Sequence, residues 1–245
     1  MKPISMEFVM GRAPVIPVLA IDPEVDAVGL ARALVSGGLP VLEVTLRTPA
    51  ALAAVEAMAK AVPEAVVGVG TVVRADQAQA ALDAGAQFLV SPGTTDSVLQ
   101  AAEQTKLALL PGISSASELM RAGEAGYTHL KFFPAQSSGG VDALRAFNGP
   151  FPQVRFCPTG GISLQNYLAY LALPNVLCVG GSWVAPTDAV ASGDWARISG
   201  LAASVSGVRL NAHNAPATDN SATDWHSVAG EEDPGSADED LRPKR

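Results

Sequence analysis

Short apolar runs alternate with amphipathic stretches from residue 15 to about residue 206. Residues 15–20 form the first run. Residues 24–36 then place Ala27, Leu30, Ala31, Leu34 and Val35 at i, i+3, i+4, i+7 and i+8, ahead of Gly37-Gly38. That spacing lays one apolar stripe along a helix, and the glycines end it. The unit repeats: strand 41–46, then a helix that Thr48-Pro49 would start, with Leu52, Val55, Ala59 and Val62 on one face. Strand 66–71 leads to helix 74–84, strand 88–93 to helix 95–104, and strand 107–112 to helix 116–124, which opens on the capping-box pattern Ser115-x-x-Glu118. Strand 129–135 precedes a helix near 140–146. Strand 155–159 precedes helix 163–171, with Ser163 as its cap, and strand 176–181 precedes a helix over 188–204.

Eight strand–helix units with continuously apolar strands predict an α/β chain closed into a (β/α)8 TIM barrel, because strands buried on both faces lose the period-2 alternation. An open doubly wound sheet is the alternative. Gly68-x-Gly70 ends a strand as a dinucleotide loop would, but position 73 is valine and the full spacing fails. The predicted organisation is a leader over 1–14 with a short helix near 4–11, a barrel over 15–206, and a tail over 207–245. From residue 211 the tail has no periodic apolar face and carries eight acidic against three basic residues. Such a segment buries too little apolar surface to offset its ordering entropy, so a disordered acidic tail is expected, with Trp225-His226 as a candidate docking motif.

Composition narrows the partners. The 245 residues are 48% hydrophobic, enough for a sizeable core, and the net charge of −8 argues against nucleic acid or an anionic membrane as the main partner. No basic face is visible, no apolar run reaches the length of a membrane span, and no basic segment precedes an apolar one at the N-terminus, so a cytoplasmic location is expected. Cys157 and Cys178 lie in separate strand-like runs without metal-ligand spacing, which predicts buried thiols.

In a barrel the chemistry gathers where the strands end, so polar residues interrupting apolar strand ends are the candidates. Lys131, within His129-Leu130-Lys131-Phe132-Phe133-Pro134-Ala135, is the only one of five lysines inside an apolar strand. Burial there disfavours the ammonium and favours the neutral, nucleophilic amine. Glu43, Thr45 and Arg47 alternate along one strand and so face the same way. Thr71, Pro92 and Thr159 end three others. Thr159-Gly160-Gly161 and Gly180-Gly181-Ser182 follow the seventh and eighth strands, where such barrels hold phosphate through backbone N–H groups. An amine, a carboxylate, an arginine and a phosphate cradle fit a class I aldolase acting on a phosphorylated 2-oxo acid.

The segments Val41-Leu-Glu-Val-Thr-Leu-Arg-Thr48, Gly68-Val-Gly-Thr71, Ser91-Pro-Gly93, Leu110-Pro-Gly-Ile113, Lys131-Phe-Phe-Pro-Ala135, Gly149-Pro-Phe-Pro-Gln-Val-Arg-Phe-Cys-Pro-Thr-Gly-Gly161 and Gly180-Gly-Ser-Trp183 resemble the 2-keto-3-deoxy-6-phosphogluconate (KDPG) and 4-hydroxy-2-oxoglutarate (KHG) aldolases, over about residues 13–205. The resemblance implies Lys131 as the Schiff-base lysine and Glu43 as the proton-transfer residue. It also implies Arg47 and Thr71 as ligands of the substrate carboxylate, Pro92, Phe133 and Thr159 against the substrate, and Gly160, Gly161, Gly181 and Ser182 around the phosphate. It implies a homotrimer and no metal or organic cofactor. Gln136 departs from the family pattern, which has glutamate there. The phosphogalactonate aldolases, or a barrel that binds an anionic metabolite or scaffolds an assembly without catalysis, are the alternative readings.

Overall fold

The computed structural model describes residues 4–208. The acidic stretch from residue 209, with Trp225-His226, lies outside them. The strands are β1 (Val15–Leu19), β2 (Val41–Thr45), β3 (Val66–Gly70), β4 (Phe88–Val90), β5 (Ala108–Leu110), β6 (Gly112–Ile113), β7 (His129–Phe132), β8 (Arg155–Pro158) and β9 (Val179–Gly181). Every paired register is parallel, and every intervening segment except the single residue between β5 and β6 contains a helix, which gives a parallel α/β fold. One sheet has the order β5-β4-β3-β2-β1-β9, and a second has β6-β7-β8.

Nine strands stand where eight runs are expected, because Pro111 divides the fifth run into β5 and β6. Proline has no N–H for the ladder. Its carbonyl still serves, accepting from the Lys131 N–H at 2.9 Å, so the interruption holds β7 in place. Between β8 and β9, parallel bridges join Phe156 to Val176 and Thr159 to Gly180.

The helices are α1 (Met6–Met10), α2 (Ala27–Ser36), α3 (Ala51–Ala61), α4 (Ala75–Asp83), α5 (Asp96–Thr105), α6 (Ala116–Glu124), α7 (Gly140–Asn148), α8 (Tyr167–Leu171), α9 (Thr187–Ser192) and α10 (Trp195–Ser206). The Ser115–Glu118 capping box forms as its spacing predicts, with reciprocal bonds between each side chain and the other residue's N–H. Two cap assignments are corrected. Thr48 does not cap α3; its hydroxyl donates to the Ile21 carbonyl, and Ala50 stands at the cap. Ser163 does not cap α8 either: its N–H donates to Asn166 Oδ1 at 2.8 Å, and the helix starts after Asn166. The single helix expected over 188–204 is two, since Gly193 takes φ 68° and ends α9 before Asp194 caps α10.

The core has two parts. Alternate strand residues such as Leu42, Val44, Val67, Val69, Leu130 and Phe132 pack outward against the helices. The other parity, including Ile16, Val41, Phe88, Val90, Leu110 and Cys157, forms a second cluster with Leu177 and Cys178. Met6, Val9 and Met10 of α1 join that second cluster, so the leader is part of the core. Cys157 and Cys178 are buried free thiols. Burial, with Cys157 beside it, pushes the Cys178 thiol well up and keeps it protonated. No helix among the described residues is long and apolar enough to cross a membrane.

His129 begins β7 opposite Arg155. Burial, then the Arg155 charge, lowers its pKa from 6.5 to about 4. The unfolded chain therefore binds a proton that the folded one refuses between those values. The stability that the neutral ring contributes is complete above about pH 6.5 and is lost as pH falls toward 4, an effect of about 1–3 kcal/mol. Thermal unfolding of wild type should weaken more steeply over that window than unfolding of His129→Gln; parallel profiles would remove His129 as the cause.

Candidate active site

The strand parity that fills the inner core with apolar residues turns polar toward the C-terminal ends. On β2 the inward face runs Val41, Glu43, Thr45, and on β7 it runs from His129 to Lys131. Lys131 Nζ lies 3.1 Å from Glu43 Oε1, and the two side chains are 6% and 4% exposed. A buried ammonium or carboxylate is costly alone; adjacent, each relieves the other, and a proton can pass between them. The Lys131 amine also stands 5.3 Å from the centroid of the Phe133 ring, and the Phe133–Pro134 peptide is cis.

Glycines on β3 make this possible. A Cβ on Gly68 would collide with the Phe88 ring, and one on Gly70 would collide with the Glu43 carboxylate. The Gly68-x-Gly70 pair is thus a steric allowance for the neighbouring strands. Gly70→Ala should push Glu43 away from Lys131 and lower turnover about 100-fold, at a stability cost of about 1–3 kcal/mol. Wild-type kcat in that variant would show that the carboxylate's position is not critical.

Arg47 lies beyond the end of β2 and is exposed, while Glu43 and Thr45 are buried. It does not pair with Glu43: its Nε donates to Thr45 Oγ1 at 2.9 Å, and Thr45 Oγ1 donates to the Leu19 carbonyl at 2.8 Å. Thr71 follows β3 with φ 61°, a conformation that costs a β-branched residue about 1–3 kcal/mol and tends to be held at functional sites. Gly160 and Gly161 take φ 96° and 76°. The carbonyls of Thr159 and Gly160 accept from the N–H groups of Ala135 and Gln136. Among the described residues, the N–H groups of Gly160, Gly161 and Ser182 donate no intramolecular hydrogen bond, an arrangement suited to an anion. Gln136 underlies this loop: its Cβ lies where a Gly161 side chain would point, and Tyr170 donates its hydroxyl to Gln136 Oε1 at 2.9 Å.

One cavity of about 390 Å³ brings together every candidate: Glu43, Arg47, Thr71, Pro92, Lys131, Phe133, Thr159, Gly160, Gly161, Gly181 and Ser182. Val18, Thr45, Ile162 and Gly180 complete the lining. Of these, Thr45 and Gly180 had a sequence signal, the alternation with Glu43 and Arg47 and the glycine pair. Val18 and Ile162 are apolar residues among many and had none.

A parallel α/β fold with a buried amine–carboxylate pair at its strand ends, beside glycine-rich loops, defines an enzyme site for nucleophilic carbonyl chemistry. The sequence model for "Aldolase: KDPG and KHG aldolase" matches residues 6–201, and the chain belongs to that family. It is 57% identical over 199 residues to the 2-dehydro-3-deoxy-phosphogluconate aldolase of Pseudoalteromonas atlantica, covering 81% of this chain and 93% of that one. It is 53% identical over 207 residues to the KHG/KDPG aldolase of Escherichia coli K12, covering 84% and 97%. A crystal structure of KDPG aldolase from Legionella pneumophila, with pyruvate captured at low pH as a covalent carbinolamine, superposes with TM-score 0.80 at 48% identity, covering 82% and 97%.

Proposed function

We propose that this chain is a class I aldolase that cleaves 2-dehydro-3-deoxy-6-phosphogluconate to pyruvate and glyceraldehyde 3-phosphate, and that it also acts on 4-hydroxy-2-oxoglutarate. The observation that carries the reading is the buried contact between Lys131 Nζ and Glu43 Oε1 at the floor of a strand-end cavity. The names of the relatives support the substrate, and the carbinolamine in the Legionella enzyme supports the covalent route.

Glu43 takes a proton from Lys131, and the neutral amine attacks C2 of the 2-oxo acid. Glu43 returns the proton to the carbonyl oxygen and takes one from the adduct nitrogen to give the neutral carbinolamine; it then delivers that proton to the hydroxyl, which leaves as water while the nitrogen lone pair forms the iminium. Glu43, again a carboxylate, removes the C4 hydroxyl proton; the C3–C4 bond breaks, its electron pair becomes C2=C3, and the C=N pair moves onto nitrogen. That step releases glyceraldehyde 3-phosphate and leaves an enamine on Lys131. Protonation at C3 and addition of water free pyruvate and restore the amine. Arg47 and Thr71 hold the C1 carboxylate, and Pro92, Phe133 and Thr159 wall the chain of the substrate. Gly160, Gly161, Gly181 and Ser182 receive the phosphate. No metal or organic cofactor enters these steps.

The two sheets are read as arcs of one closed (β/α)8 barrel. The continuity of β5 with β6 through Pro111, and the bridges between β8 and the 176–180 segment, support this closure. The working form is a homotrimer in the cytoplasm. A coupled assay for pyruvate should detect turnover of the phosphogluconate-derived substrate, slower turnover of its galactonate epimer, and turnover of 4-hydroxy-2-oxoglutarate. Preference for the epimer would reassign the substrate, and no pyruvate from any of the three would end the aldolase reading.

A further inference from the structure

We propose that Thr45 is a positioning residue that holds the Arg47 guanidinium over the Lys131–Glu43 cavity and leaves both terminal nitrogens available to a substrate carboxylate. The inference rests on the reading of Arg47 as the carboxylate ligand.

The direction of the hydrogen bonds is forced. Thr45 is buried, and its Oγ1 lies 2.8 Å from the Leu19 carbonyl and 2.9 Å from Arg47 Nε. The carbonyl can only accept and Nε–H can only donate, so the hydroxyl gives its one proton to Leu19 and turns a lone pair to Arg47. The Arg47 backbone N–H also donates to the Thr45 carbonyl, at 2.8 Å, so main chain and side chain both fold back onto the same residue.

Arg47 needs such a fixed point. It is exposed and makes no ion pair among the described residues. It also borders two spaces: the 390 Å³ cavity that holds Lys131, and a neighbouring cavity of about 240 Å³ lined by Leu19, Asp22, Thr187 and Val190. The Asp22 carboxylate also borders the second space. A long side chain free to sample both spaces and bulk water would lose that freedom each time substrate bound. With Nε tied to a buried hydroxyl, the terminal fork is oriented beforehand, as bidentate recognition of a carboxylate requires.

The test is Thr45→Val, which keeps the shape and removes the acceptor. The pyruvate concentration giving half-maximal borohydride trapping should rise about tenfold, with the saturated trapping rate little changed. Thr45→Ser should restore it to about twofold of wild type or better. In an Arg47→Ala background Thr45→Val should add nothing, because its effect passes through Arg47. The Arg47 Nε–H resonance should be protected from solvent exchange in wild type and Thr45→Ser and exposed in Thr45→Val. An unchanged half-saturation in Thr45→Val, or an effect that persists without Arg47, overturns the proposal. Should Thr45→Val not fold, Arg47→Lys reads the same contact from the other side. It keeps the charge without an Nε–H, and should bind pyruvate as weakly as Arg47→Ala; wild-type binding overturns the proposal. A wild-type protein that traps no pyruvate refutes the aldolase reading, while the Nε–H protection still decides the role of Thr45.

Discussion

A Lys131→Met variant should fold and yet lose at least about 10⁴-fold in pyruvate release, because no other lysine among the described residues lines the cavity. Lys60 is exposed and ion-paired with Glu56, and Lys106 ends α5 away from the 390 Å³ cavity. Methionine keeps most of the side-chain volume, so the fold survives, but Glu43 is left buried without its cation. That isolation should lower stability by about 3 kcal/mol, and adding Glu43→Gln should recover part of it. A single variant with stability and turnover both near wild type would show that the buried pair contributes to neither.

Glu43→Gln should leave the cavity's shape intact and slow turnover by about 10²–10⁴-fold, since an amide cannot relay protons. The loss should appear both in the rate of imine formation and in cleavage of the C3–C4 bond, because one carboxylate serves both. Single-turnover trapping separates the two steps. If trapping by borohydride keeps the wild-type rate while cleavage slows, Glu43 acts only on the C4 hydroxyl and another group carries the first proton.

Lys131 was legible in the sequence because a charge inside an apolar strand violates the burial rule so plainly. Glu43, Thr45 and Arg47 were legible as one face because strand period is 2. What the alternation could not fix is where the strand stops. It groups Arg47 with Glu43, and Arg47 does line the same cavity, but β2 ends at Thr45 and Arg47 is exposed beyond it. The glycines of β3 show a different limit. Sequence alone gives their spacing, which fails as a dinucleotide loop, but not the neighbours that need the space, Phe88 and Glu43, which come from adjacent strands. The cap errors at Thr48 and Ser163 have the same origin. Local patterns favour a hydroxyl at a helix start, but the Thr48 hydroxyl donates to a tertiary partner, the Ile21 carbonyl, and at Ser163 it is the backbone N–H that bonds, to Asn166 Oδ1. The helix over 188–204 reads as one apolar stripe until Gly193 adopts a left-handed conformation.

The central claim is that one particular amine becomes covalently attached to pyruvate. Incubation with pyruvate, reduction with borohydride and peptide mapping should find one stable adduct, on the peptide carrying Lys131, dependent on both reagents and absent from Lys131→Met. An adduct on another lysine, or full enzymatic turnover with none, would contradict the account.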